Sequence, residues 1–365
     1  MSDWACISRF GGIGDNLVAS AVLPALKKRY GCVEVISQLP QSCVFENNPH
    51  IDKLSQHKEG DIPGESAEAW HRWHKVRASE YAFYANLSHS METMVALFPT
   101  QTQFWWPAAW RRKFCGRNYI EMVADVCGVP YGDCAPGFFP TAEEDAQAQQ
   151  TRGEQIGNGR VIGWVLSGSR VDKIHPASTL IVARLIRECD ATVILFGGPG
   201  RDCEMGNRII DHVRRQNGST KGVVGAADAT LENQKWPIRR VLTQLRHCDL
   251  VIGPDTGPMW SVAMHPVPKI MTLSHASLQN ITHGWRNCVT LHADPAKVPC
   301  WPCHQLHSAL DTCTPDETKA AAACISSISV EAVVAAAHEA LGRKADVVDL
   351  HARTQDNAPA RAAGS

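Results

Sequence analysis

Near its start the chain places Gly11, Gly12 and Gly14 directly before an aspartate, Asp15, between an apolar run and an apolar-periodic segment. Glycines there let the backbone turn tightly and let a ligand approach N–H groups at the positive end of a helix. No Gly-Lys-Ser/Thr follows, so the loop is not a P-loop. The third glycine of a dinucleotide fingerprint is also missing from its usual offset. A carboxylate at such a junction serves either as a helix cap or as a base that takes a proton from a bound hydroxyl.

A second grouping is made of sulfur. Cys300, Cys303, Cys313 and Cys324 give C-x2-C-x9-C-x10-C. Four thiolates with a close leading pair follow metal-ligand arithmetic, and tetrahedral sulfur suits structural zinc or iron. The other reading is two or three buried or free thiols. Cys6, Cys32, Cys43, Cys127, Cys189 and Cys248 sit singly in or beside apolar segments and read as small buried hydrophobes.

Hydrophobic periodicity outlines the elements that must position these groups. Residues 4–8 read as a short buried strand, 17–30 as a helix stopped by Gly31, and 33–36 as the next strand. That order begins a parallel, doubly wound sheet. From about residue 60 to 140 the pattern is less regular, with tryptophans and histidines crowded at 70–74 and tryptophans at 104–110. The polar run 143–159 reads as a helix end plus an interdomain linker. Strands then recur at 161–166, 192–196, 249–252 and 269–273, the last closing the series. Helices are expected at 177–188, 205–216, 238–247 and 330–341. The expectation is an α/β chain of two Rossmann-like domains, 1–156 and 157–342, with strand C-termini facing a central cleft, and a disordered tail at 343–365.

A length of 365 residues suits two cores rather than one. Lys and Arg number 36 against 37 Asp and Glu, and the net charge of −1 makes no electrostatic case for nucleic acid as partner. No window approaches the roughly 20 apolar residues that span a bilayer. The opening residues lack the basic-then-apolar order of a signal peptide. The expected address is cytoplasmic. The stretch 104–114, where Phe104, Trp105, Trp106 and Trp110 precede Arg111, Arg112 and Lys113, leaves open peripheral contact with the inner membrane, acceptor binding, or packing, including a homo-oligomer interface.

Three segments in order carry a family resemblance. They are Arg9-x-Gly-Gly-Ile-Gly-Asp15-Asn-Leu-Val-x-x-x-Val-Leu-Pro-Ala-Leu-Lys-Lys-Arg-Tyr30, Ser167-Gly-Ser-Arg-x-Asp-Lys173-x-His-Pro176, and Gly253-Pro-Asp255-Thr256-Gly257-Pro-Met. Together they resemble family 9 glycosyltransferases, the bacterial ADP-heptose-dependent heptosyltransferases and their relatives. The resemblance covers about residues 4 to 340. It implies the two-Rossmann GT-B architecture, with an N-terminal acceptor domain, a C-terminal nucleotide-sugar domain, and a transfer step that needs no divalent metal. The implied activity is inverting transfer of a sugar, most plausibly heptose from ADP-heptose, to a hydroxyl of a surface glycolipid, polysaccharide or protein.

By that resemblance Asp15 matches the catalytic base and Lys173 the cation that faces the diphosphate. Ser167 and Ser169 stand where hydroxyls donate to it, and Thr256 and Gly257 where backbone N–H groups at a helix start meet phosphate. Asp255 matches an acceptor for a sugar hydroxyl or an orienter of that turn. Glu204, closing Gly197-Gly-Pro-Gly-Arg-Asp-Cys-Glu204, matches an acid that holds the ribose. Arg9 is either a phosphate or acceptor contact or an ion-pair partner. Plainer readings make Lys173 a surface residue and Asp255 a helix cap. Some relatives, notably autotransporter heptosyltransferases, hold iron on a comparable cysteine set. One departure stands out: the family histidine three residues after the motif glycine is Trp260 here. An indole cannot reproduce a histidine's charge or second nitrogen, though it can stack on a base or sugar, or pack. Two rivals share the architecture. A nucleotide-sugar epimerase or hydrolase needs acid/base pairs beyond Asp15, and a non-catalytic nucleotide-sugar-binding subunit is compatible with Trp260.

Overall fold

The computed structural model describes residues 2–64, 66–88, 90, 91, 94, 96–155, 159–198, 200–217, 222–225 and 236–342. The tail expected at 343–365 lies outside the described residues. Strands β1 (Ser2–Arg9), β2 (Val33–Gln38), β3 (Lys53–His57) and β4 (Tyr81–Asn86) form a parallel sheet in the order β3-β2-β1-β4. Ala5, Cys6 and Ile7 on β1 are fully buried, as expected for a central strand covered on both faces. The sequence Lys-Leu-Ser-Gln-His of β3 carries no such run, because an edge strand buries little.

The single helix expected at 17–30 is two helices, α1 (Ile13–Ser20) and α2 (Leu23–Tyr30). Pro24 has no N–H to return to Ser20, and its ring crowds that carbonyl, so the first helix ends before it. Gly31 stops α2 at φ 78°, with its N–H donating to Lys27 O at 2.9 Å. The irregular region contains α3 (Ala67–Ala78), capped by Ser66, then α4 (Ala108–Cys115) and α5 (Tyr119–Cys127). Next comes α6 (Ala142–Gln155).

The C-terminal half runs β5 (Arg160–Val165), α7 (Ser178–Glu188), β6 (Ala191–Phe196), α8 (Arg201–Asn217), β7 (Val223–Gly225), α9 (Ile238–Arg246), β8 (Leu250–Pro254), α10 (Gly257–Ser261), β9 (Lys269–Thr272), β10 (Cys288–Leu291) and α11 (Val330–Gly342). Its main sheet has six parallel strands in the order β10-β9-β8-β5-β6-β7. Strand β10 extends the sheet past the strand expected to close it. Its residues are only half-buried, so no continuous apolar run announces it.

The polar run 143–159 is a helix over 142–155 and not simply a helix end and linker. Helix α6 packs on α9 through Arg239 to Glu144 at 2.6 Å and His247 to Asp145 at 2.9 Å, and Arg152 pairs with Asp249 at 2.9 Å. Those charged partners lie about a hundred residues apart in sequence, so the run looks solvated until the chain folds.

Both sheets reverse direction beside their central strand. The chain builds outward from β1 to β3 and then returns to β4 on the other side of β1. It builds from β5 to β7 and returns to β8 on the other side of β5. Crevices open at the C-terminal ends of strands at such switch points. The ends of β1, β5 and β8 carry the glycine loop, Ser167–Lys173 and Asp255–Gly257. An apolar core cluster continues from one half into the other, joining Leu17 and Val18 to Met259 and Trp260. The halves also interlock behind the cleft. Leu97 N donates to His304 O and Leu306 N to Leu97 O, both at 2.8 Å, and Arg111 Nε reaches Cys303 O at 2.8 Å.

Candidate active site

One cleft of about 910 Å³ lies between the two halves, bordered by Gly12, Gly14 and Asp15 on one side and Ser167, Ser169, Lys173, Asp255, Thr256, Gly257 and Trp260 on the other. Residues more than 240 positions apart therefore share one wall-to-wall space.

Asp15 both caps its helix and borders the cleft. Its Oδ2 accepts from Gly12 N at 2.7 Å, capping α1 from within. Its Oδ1 lies 3.2 Å from the guanidinium of Arg9, and the carboxylate stays about one-third exposed to the cleft. Arg9 is buried and anchored on Leu87 O at 2.8 Å, so it is an ion-pair partner behind the loop and does not line the cleft. Gly11 also stands behind it, at φ 145°, where a β-carbon would meet Asp15 Oδ2 at 2.8 Å. Asn16, unremarkable in the sequence, holds the loop's shape. Its Nδ2 donates to Gly12 O at 3.1 Å and its Oδ1 accepts from Ser37 at 3.1 Å.

Across the cleft, Lys173 Nζ donates to Asp255 O at 2.7 Å and to Asp255 Oδ2 at 3.0 Å. The pair is about nine-tenths buried. Burial works against charge on Asp255, but Lys173, with the Trp260 N–H, holds its carboxyl below the usual carboxylate range. Trp260 is accounted for here. Its Nε1 donates to Asp255 Oδ1 at 2.9 Å, while its ring lies parallel to Tyr119 and edge-on to Trp285. The hydroxyl of Thr256 is buried without a partner among the described residues.

The segment after β6 departs from the expected placement of its acid. Glu204 is exposed on α8 and does not border the cleft. The acid that does is Asp202, two residues nearer the end of β6. It accepts from Gly198 N at 2.8 Å and from Ser167 Oγ. Arg201, also bordering the cleft, donates to Gly168 O at 2.7 Å. The charged lining is thus Arg170, Lys173 and Arg201 against Asp15, Asp202 and Asp255.

Cys300, Cys303, Cys313 and Cys324 all border one small cavity of about 40 Å³ behind the cleft, together with Asp172, Ser274 and His275. Among the described residues, however, no group of three or more His, Cys, Asp or Glu stands in a metal-holding arrangement. The spacing thus brings all four thiols to one cavity. Burial pushes Cys303 and Cys313 up to about 12 and Cys324 well above the usual thiol range, and a cation bound there would have to displace those protons. Of the scattered cysteines, Cys6, Cys127, Cys189 and Cys248 are buried, and Cys32 and Cys43 are half-buried.

No protein-family model matches the chain, and no curated protein matches it. Solved structures do. A family 9 glycosyl transferase from Veillonella parvula superposes with a TM-score of 0.64 at 17% identity, covering 93% of this chain and 97% of that one. The E. coli ADP-heptose LPS heptosyltransferase II gives 0.57 at 13% identity, over 92% and 98%. The dodecameric iron-containing heptosyltransferase TibC in complex with ADP-D-β-D-heptose gives 0.53 at 11% identity, over 93% and 77%. At such identities the likeness establishes the fold, and the two facing α/β domains are the GT-B architecture.

Proposed function

We propose that this chain is an inverting glycosyltransferase of the family 9 kind, moving a sugar from a nucleotide donor, ADP-heptose above others, to a hydroxyl acceptor. The observation that carries this reading is that Asp15 borders the same cleft as Lys173, Asp255, Thr256 and Gly257. The N-terminal domain takes the acceptor and the C-terminal domain the nucleotide-sugar. Asp15 removes the acceptor hydroxyl proton as that oxygen attacks the anomeric carbon. The bond from that carbon to the diphosphate oxygen breaks, and its electron pair leaves with the diphosphate. Lys173 and the Thr256 hydroxyl face the charge that develops there. Arg9 holds the base in place from behind. Nothing in this sequence of events calls on a divalent metal.

A donor screen tests the reading: thermal shift or calorimetry with ADP-, UDP- and GDP-sugars. Binding of one class, with transfer lost and binding kept in Asp15→Asn, is the expected result. No response to ADP-heptose rejects the donor assignment. Unchanged turnover in Asp15→Asn rejects Asp15 as the base.

The shared cavity supports a second element of the proposal, a structural zinc or iron held by Cys300, Cys303, Cys313 and Cys324. Bound there, the metal would tie the loop that Arg111 and Arg112 clasp from the other half. Metal analysis of protein purified without a histidine tag decides it, and less than about half an equivalent of transition metal rejects it. Acceptors at a membrane suit the exposed Trp105, Trp110 and Phe114, which stand beside Lys113. No helix among the described residues is long and apolar enough to cross a membrane. Co-sedimentation with anionic vesicles, lost in a Trp105→Ser/Trp110→Ser variant, is the expected sign of peripheral contact.

A further inference from the structure

Beyond the end of β9 the chain passes through Ser274 and His275, and His275 is 1% exposed. The residue borders both the main cleft and the cysteine-lined cavity behind it. Nδ1 faces two oxygens, Ser274 Oγ at 3.3 Å and Asp172 Oδ2 at 3.4 Å. The Ser274 hydroxyl donates to Asp172 Oδ2 at 2.8 Å, so both neighbours of Nδ1 act as acceptors and the ring proton is assigned to Nδ1. Asp172 is fixed in turn, accepting from His307 N at 3.2 Å. Nε2 is left with its lone pair and no partner among the described residues. Trp260 does not fill this role, since its one ring nitrogen is given to Asp255.

A buried acceptor of this kind waits for a donor. Phosphate oxygens are acceptors themselves and offer none. A nucleotide-sugar carries donors on its base, its ribose and its sugar, and the strand order separates these. Gly197, Gly198 and Asp202 follow β6, and His275 follows β9, with β5 and β8 between them. Three strand spacings span about 14 Å. Lys173, Thr256 and Gly257 occupy the middle, where the diphosphate sits. The nucleoside then extends over β6 and the sugar over β9. The β9 side is also where the acceptor domain is joined, through His304 N to His275 O at 2.9 Å and Leu97 N to His304 O at 2.8 Å.

We propose that His275 Nε2 accepts a hydrogen bond from a hydroxyl of the transferred sugar, with Asp172 orienting the ring. His275 is thereby a specificity-determining residue and Asp172 a positioning residue. The proposal rests on the reading of the cleft as a nucleotide-sugar site.

The test is calorimetric titration with ADP, ADP-heptose and ADP-glucose, and with UDP, UDP-glucose, GDP and GDP-mannose. The readout is the sugar increment, the ratio of Kd for the nucleoside diphosphate to Kd for its sugar. His275→Ala and Asp172→Asn should each reduce that increment about tenfold, while Kd for the nucleoside diphosphate shifts by less than about twofold. His275→Gln, whose amide oxygen also accepts, should recover part of it and serves if another variant fails to fold. A wild-type chain that binds none of these ligands removes the nucleotide-sugar reading itself. If it binds but its sugar increment is absent, or is unchanged in His275→Ala, the role of His275 is overturned and the wider reading stands. Loss of nucleoside diphosphate binding in His275→Ala overturns it as well.

Discussion

Gly14 and Gly257 meet backbone to backbone across the cleft. A β-carbon on Gly14 would stand 3.3 Å from Gly257 N, and one on Gly257 would stand 2.9 Å from Gly14 N and 2.6 Å from Ile13 Cγ2. The loops carrying Asp15 and Asp255 each omit a side chain where the other needs the space. Gly257→Ala should wedge the two halves apart at this contact. We expect kcat to fall about tenfold or more with thermal stability changed little, because reacting groups tolerate small misplacement poorly. Steady-state kinetics beside a melting curve measure this, and full activity in Gly257→Ala refutes it.

Asp15→Asn keeps an acceptor for the Gly12 N–H, so the cap of α1 should survive the change. The group proposed as base does not survive it. Turnover should drop by about 100- to 10,000-fold with donor affinity retained. Parallel loss of donor binding would mean that the carboxylate shapes the donor pocket as well.

Lys173 and Asp255 form a pair about nine-tenths buried. Removing only the cation strands a buried carboxylate, and Lys173→Met should destabilise the fold by about 3–5 kcal/mol. The double variant Lys173→Met/Asp255→Asn should recover much of that loss, yet remain inactive. Urea denaturation of both proteins provides the comparison. Equal destabilisation in the two would show that the charge on Asp255 is not the cause.

His175 provides a pH prediction away from the cleft. Its Nδ1 accepts from Ala177 N at 3.2 Å and its Nε2 donates to Ile328 O at 3.0 Å, which defines a neutral ring. Burial lowers its pKa to about 4. With a folded value below the unfolded value of about 6.5, the unfolded chain binds the proton more readily between them. Stability from this residue is therefore complete well above about pH 6.5 and falls as pH drops towards 4, by about 3 kcal/mol. Melting temperature measured from pH 7 to pH 4.5 should decline less steeply in His175→Gln than in the wild type.

Much of the fold was legible because central parallel strands bury both faces and need continuous apolar runs. Residues 161–166 and 192–196 announced β5 and β6 in this way. Edge strands β3 and β10 did not, since little of either is buried. Pro24 marks the break between α1 and α2, although the apolar periodicity runs through it unbroken. At the site, Glu204 matched a motif by offset, yet the turn after β6 puts Asp202 at the cleft instead.

By itself the sequence determined what can be written locally: the glycine loop before a helix, the alternation of strands and helices, and the residue types at Asp15, Lys173 and Asp255. Only the tertiary structure decided which of these groups face one another. Arg9 with Asp15, Trp260 with Asp255 and Asp172 with His275 depend on loop turns and on the strand order β9-β8-β5, because hydrogen bonds and ion pairs act over a few ångströms. Sequence distance says little about that separation once the chain crosses from one strand to another. The four cysteines mark the same boundary, their spacing being visible at once while the distance between their sulfurs belongs to the fold.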